Sequence, residues 1–425
     1  MIFQHKNLSI LVGISSFFVC LIPFALLTGP FIPDLLLSLT VLLTCFEIIR
    51  KKKYSYFKNN YFYLFSIFYF YILSRSIFSE FSLFSTESSF FYFRFVLFSI
   101  AVWYLLDENK RLLKSFTIVF LITFIIALFD GYFQFFNDSN LFGIVSPSER
   151  MNLLLNDKLI LGGYLSRLFP FLIGLILLNL NYSFLNVLLF SFLLISTDIL
   201  VYVTGERTAL GLLFLSTVFI LVFISKYKFV RLITIIVSIS AIIIISFFND
   251  DVKRRNIDQT FNQIGISENS SQIYMFSPIH QSHFISAYRM FSDNPIFGHG
   301  PKTFRILCSH KDYNYDVNSC STHPHNTYVQ LLAETGLVGV MFVLLALFYL
   351  LITMIKHINY FFLKKELLLS DYQICLIACF IITLWPIAPT NNFFNNWISI
   401  VYYLPIGFYL HSIYSMNNND QRYNN

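Results

Sequence analysis

Residues 321–339, STHPHNTYVQLLAETGLVG, set two imidazoles on either side of a proline, directly ahead of a run that turns apolar. In an extended segment His323 and His325, two apart, face the same way, and Pro324 favours that conformation for His323. Three chemistries fit such a pair. A single neutral imidazole with a pKa near the working pH serves as a general base. A catalytic zinc takes three protein ligands; Asp316 or His310 would have to supply the third, and no HExxH spacing is present, so no metal site is assigned. The remaining role is plain hydrogen bonding. Asn326 reads as the N-cap of a helix beginning at Thr327, which fixes the histidines at the mouth of that helix. Glu334, further along it, is costly in lipid and is expected to turn toward the protein interior and orient a partner.

Two arginines belong to the same kind of question. Arg207, in VTGERTALGLL, follows a turn-like Thr-Gly and opens an apolar run. An arginine there can snorkel to a membrane interface. Alternatively, the free N–H groups of a helix start together with a guanidinium make an anion site, with Glu206 as an adjacent counter-charge. Arg289, in SAYRMFSDNPIFGHGPKTF, is either a surface charge on an amphipathic helix or a second guanidinium for the same anion, since the planar fork matches phosphate oxygens. Asp293, Asn294 and Pro295 end that helix, and Gly298 and Gly300 flank His299 in a turn. Arg167, in GGYLSRLF, adds positive potential near Arg207.

The elements that must position these residues cross a membrane. The 425 residues are 56% hydrophobic and 12% charged, against about 25% charged in an ordinary soluble chain. Apolar runs near 20 residues recur, long enough as helices to cross roughly 30 Å of hydrocarbon. They do not alternate in polarity, which excludes a β-barrel. The expected fold is all-α and polytopic, with about twelve spans at 8–27, 31–49, 61–79, 89–106, 115–134, 166–180, 184–203, 207–225, 229–248, 328–355, 372–388 and 397–415. The first is expected to be a retained span, since no cleavage pattern follows it. Asp34, Arg75, Arg94, Asp130 and Asp198 lie in or beside spans, where pairing between helices accounts for them. Net charge of +6 sits in short loops and carries no implication of nucleic acid.

Orientation follows from the same loops. With the N-terminus inside, inner loops hold Arg50–Lys53 and Lys58, then Lys110, Arg111 and Lys114, then Lys226, Lys228 and Arg231, then Lys356, Lys364 and Lys365. Both termini are then cytoplasmic. The long connection 249–326 falls outside and divides the chain into 1–248, 249–326 and 327–425. It holds six of the nine histidines (280, 283, 299, 310, 323 and 325), and at that length it is expected to contain helical pieces. Cys308 and Cys320 also lie there, where an oxidising compartment allows a disulfide.

The ordered set DGYFQFF, TGERTAL, AYRMFSDNPIFGHGPKTF and HPHNTYVQLLAETGLVG, spanning roughly residues 130–345, resembles the O-antigen ligase and polymerase superfamily. That resemblance implies a bacterial inner-membrane glycosyltransferase with its large loop in the periplasm. Its donor would be a glycan on undecaprenyl diphosphate, and its acceptor lipid A–core or a second lipid-linked glycan. It would need no cofactor or metal and would invert the anomeric centre. The family's arginine after the Gly-containing turn matches Arg207, its loop arginine matches Arg289, and its essential histidine falls at His325 or His323. On this reading His325, Arg289 and Arg207 are catalytic, while His323, Asn326, Arg167 and Glu206 contact substrate. Glu206 departs from the small residue many relatives carry. A transporter, the reading from another class, predicts paired repeats meeting near the membrane midplane, and no such symmetry is visible.

Overall fold

The computed structural model describes residues 9–146, 150–155, 157–179, 183–265, 273–274, 276–365 and 367–416. The expected joint at 180–182 lies outside them. The described residues form helices and no sheet, apart from isolated bridge positions at Leu153 and between Ser139 and Val145. The helices are α1 Ile10–Ala25, α2 Phe31–Arg50, α3 Asn60–Ile77, α4 Ser82–Phe90, α5 Phe93–Glu108, α6 Leu112–Asn137, α7 Leu161–Asn179, α8 Phe184–Val203, α9 Arg207–Phe223 and α10 Lys228–Phe248. Four short or amphipathic helices follow: α11 Asp250–Lys253, α12 Gln259–Ile264, α13 Pro278–Asp293 and α14 Phe304–Leu307. The chain closes with α15 Thr327–Lys364, α16 Asp371–Thr383 and α17 Asn396–His411.

Each of the twelve apolar runs coincides with a helix. Eight candidates are long and apolar enough to cross a membrane, while Arg207–Phe223 and Asp371–Thr383 are apolar but shorter. Helices are the natural outcome, because hydrocarbon offers no partner to an unsatisfied backbone N–H or C=O. The bundle interior is aromatic: Phe116, Phe171 and Phe408 bring α6, α7 and α17 together with ring centroids 4.7–5.7 Å apart. By contrast α10 turns Ile236, Ile239, Ile243 and Phe247 outward, as a lipid-facing helix does.

Ion pairs join helices of the bundle. The Arg231 guanidinium on α10 donates to both carboxylate oxygens of Asp198 on α8, at 2.7 and 2.9 Å, and to Thr217 Oγ1 on α9. Arg94 forks onto Asp34 at 3.0 and 3.1 Å, joining α5 to α2. Arg75 and Asp130 depart from the expected pairing. Arg75 donates to the carbonyls of Gly298 and Phe78, and Asp130 accepts from Gln134 and from the Leu141 N–H.

The segment 249–326 is tied to α15 through a break in that helix. Gly336 takes φ +63° and ψ −167° inside α15, which frees backbone groups for the turn at 295–300. Leu337 and Val338 N–H groups donate to Pro295 and Ile296 carbonyls, and His299 and Gly300 N–H groups donate to Ala333 and Glu334 carbonyls. Only glycine fits at the crossing: a Cβ on Gly336 would stand 2.3 Å from Ile296 O, and one on Gly298 2.5 Å from Glu334 C. The Glu334 carboxylate completes the joint by accepting from the Lys302 and Phe304 N–H groups and from Gln330. Ala287, Met290, Phe304, Leu307, Cys308 and Ala333 fill the space beneath as a small core.

Candidate active site

The histidine loop is gripped from two sides. Asn326 caps α15 as the sequence suggests, accepting from the Tyr328 and Val329 N–H groups at 3.0 and 3.1 Å. Its amide also donates to the carbonyls of Pro386 and Ala388. His323 is buried. Its Nε2 lies 3.0 Å from the Thr390 carbonyl, which can only accept, so Nε2 carries the proton and Nδ1 accepts from Thr322 Oγ1. The Thr390 N–H in turn donates to the His325 carbonyl at 2.8 Å.

His325 is not extended. It takes φ +59°, a left-handed conformation that costs a non-glycine residue roughly 1 kcal/mol or more. The two rings therefore meet through a tight turn rather than through strand alternation, with centroids 4.1 Å apart. His325 Nε2 is hydrogen-bonded to Ser321 Oγ at 3.1 Å.

Two further imidazoles complete the group. His280 and His283, three apart on one face of α13, each bring a ring centroid within 5.4 Å of His325. Ser277 caps α13 and hydrogen-bonds His280 Nδ1 at 2.7 Å, which orients that ring. His283 is buried and its Nδ1 has no hydrogen-bond partner. Their spacing, i and i+3 on an amphipathic helix, was the available signal in the sequence. The disulfide Cys308–Cys320, with Cα atoms 5.1 Å apart, closes the chain just ahead of the histidine loop.

Burial sets the protonation of the cluster. It holds His325 down to about 3, with the neighbouring imidazoles adding to the effect, and holds His323 down to about 4. His280 and His283 are lowered by the same cause, Asp316 partly opposing this at His283. All four rings are therefore neutral at physiological pH. Among the described residues no group of three or more ligating side chains is arranged to hold a metal ion.

Arg207 lies beside this cluster. It stands within electrostatic reach of His280 and among like charges, Arg150 and Arg255, while its Nη1 donates to Thr260 Oγ1 at 3.3 Å. Arg255 bonds the Gly205 carbonyl. It lines a cavity of about 400 Å³ with Arg150, Arg254, Gly205, Asn256 and Gln134.

Glu206 does not pair with Arg207. Its carboxylate turns the other way and accepts from the Gly162 and Gly163 N–H groups at 2.8 and 3.2 Å, capping the start of α7. Burial pushes it up to about 7, with Arg150 and the Gly162 N–H opposing that shift. Arg167, buried in α7, is within electrostatic reach of Glu206. The physical reason is topological: the turn at Thr204–Glu206 abuts the N-terminus of α7, whose free N–H groups attract the carboxylate.

Arg289 is also placed apart. It lies seven residues from Ser282 on α13, on the face that packs against 313–316, where Ser282 bonds Asp316 and Ser286 bonds the Tyr313 carbonyl. Its Nη1 donates to the Asn314 carbonyl at 2.6 Å, and its guanidinium covers the Tyr315 ring. The structure thus clusters His280, His283, His323 and His325, with Arg207 within electrostatic reach of His280, while Arg289 is bonded to Asn314 and Glu206 to the start of α7.

Fold and site together define a polytopic all-α membrane protein with a neutral imidazole cluster beside an arginine-rich flank. Residues 189–344 match the family model described as O-Antigen ligase, a segment that includes Arg207, the four imidazoles and the start of α15. That match covers little more than a third of the chain, and over those residues the chain is similar to the O-antigen ligase family. No curated protein matches the chain.

Proposed function

We propose that the chain transfers a glycan from undecaprenyl diphosphate to a hydroxyl of an acceptor such as lipid A–core, at the periplasmic face of the bacterial inner membrane. In this reading there are twelve spans, both termini are cytoplasmic and 249–326 is periplasmic. The alternation of Lys and Arg between loops supports that orientation.

The observation that carries the reading is that His280 packs against His325, ring centroids 5.4 Å apart, and is itself within electrostatic reach of Arg207. The acceptor oxygen attacks the anomeric carbon from the side opposite the carrier, so the centre inverts. The carbon–oxygen bond to the diphosphate breaks, and the leaving group departs with the electron pair. Arg207, with Arg255 and Arg150 behind it, holds the charge that develops there, the larger share of the catalysis. His325 takes the hydroxyl proton, a step worth about 10²–10⁴-fold. Because the guanidinium supplies the positive charge, this mechanism calls for no metal. Arg289 contributes by holding 313–316 against α13, since reaching the diphosphate would break its bond to Asn314.

The test is purified protein in liposomes with a labelled glycan on undecaprenyl diphosphate and lipid A–core as acceptor. Label moving to lipid A–core is expected. Extension of a second lipid-linked glycan instead marks a polymerase, and solute flux without either transfer removes the reading.

A further inference from the structure

Lys302 occupies a backbone position that favours glycine, at φ +62°. Its main-chain N–H is spent on Glu334. Its ammonium is half-buried and makes no hydrogen bond or ion pair among the described residues, and desolvation lowers its pKa. Beside it stands Arg305, exposed, lying over the Phe84 ring and likewise without a hydrogen-bonded partner. The two cations are within electrostatic reach of each other. Arg94, the third cation nearby, is neutralised by its fork on Asp34. Glu334 is committed to backbone N–H groups, so exposed Glu87 is the one carboxylate in reach without such a commitment.

Two adjacent cations with no directly bonded carboxylate among the described residues, one of them on strained backbone, repel each other less when an anion bridges them. Their position decides which anion. Arg305 is within electrostatic reach of His323, so this pair flanks the imidazole cluster through His323, whereas Arg207 reaches it through His280. Resting on the transfer reading above, we propose that Lys302 and Arg305 form a second anion site that takes a phosphate group of the acceptor glycolipid. The donor diphosphate and the acceptor phosphate would then be held by different cations, with His325 between them. Arg305 forks onto phosphate oxygens, and Lys302 adds a point charge.

Binding to purified full-length protein in nanodiscs of neutral lipid tests this, with lipid A–core carrying its phosphates and the same lipid after enzymatic dephosphorylation as probes. The wild type is expected to hold the phosphorylated lipid more tightly. The double variant Lys302→Gly/Arg305→Gln should lose about tenfold or more for the phosphorylated lipid, as expected for lost charge-assisted hydrogen bonds, and little for the other. The glycine suits the left-handed backbone, so the variant should melt no lower than the wild type. Equal affinity of the wild type for both lipids, failure to bind either, or an unchanged double variant overturns the proposal. Selective binding in a protein that transfers no glycan would count against the transfer reading and leave this site standing.

Discussion

The ring of His283 lies 5.4 Å from that of His325 and is inclined to it by only 27°. This near-parallel pair joins α13 to the mouth of α15. Burial and the neighbouring imidazoles keep His325 neutral there, and His283 is itself buried with its Nδ1 unsatisfied. A base in such a place is always in the right protonation state, and it depends on the incoming diphosphate to favour its charged form.

A pH profile follows from this. Since kcat/KM reports the free enzyme and His325 is held down to about 3, the acid limb should lie near or below pH 4, well under the usual imidazole range. His325→Gln should lower kcat by about 10²–10⁴-fold and flatten the profile. An acid limb between 6 and 7 that disappears in His325→Gln contradicts the burial argument.

Stability should respond to acid for the same reason. For His323 and His325 the folded pKa lies below the ordinary 6.5. The unfolded chain therefore binds protons first as pH falls. The contribution is complete above 6.5 and is lost as pH drops through about 4 and 3. Hydrogen-exchange protection across 278–330, measured against the intrinsic rate at each pH, should fall over that window, and His323→Gln/His325→Gln should reduce the dependence.

The two arginines should separate under lysine substitution. Arg207→Lys gives up the bidentate fork and should lose about 10–100-fold in transfer. Arg289→Lys can still donate one hydrogen bond to Asn314 O and should keep most of its activity. Equal and large losses from both, with insertion unchanged, would put Arg289 on the substrate.

Gly336→Ala should destabilise by more than about 2 kcal/mol, because it combines a clash at 2.3 Å with a backbone angle alanine avoids. Thermal unfolding of detergent-solubilised protein measures this. Chemical labelling at Lys302 and His299 should rise in the variant as 295–304 comes away from α15.

A buried ion pair gives an independent check on the bundle. Asp198→Leu leaves Arg231 charged and unpaired between α8, α9 and α10 and should cost about 3–5 kcal/mol. Asp198→Leu/Arg231→Met should recover most of that loss, which a denaturation series on both proteins would show.

What the sequence determined by itself is local. Runs of Leu, Ile and Phe give helices wherever hydrocarbon leaves the backbone no other partner, and α8 begins and ends at Phe184 and Val203 as expected. The Asn326 cap was legible because it bonds residues two and three positions on. Cys308 and Cys320, twelve apart, were already near neighbours. Tertiary structure alone decided the rest. His323 is oriented by Thr390, 67 residues away, and His325 gains its neighbours from a helix more than forty residues earlier. Glu206 faces α7 instead of Arg207, and Arg289 faces Asn314. Such partners leave no periodicity or spacing in the chain. They are chosen by which free N–H and C=O groups the packed helices leave within reach, and that is settled only once the bundle has closed.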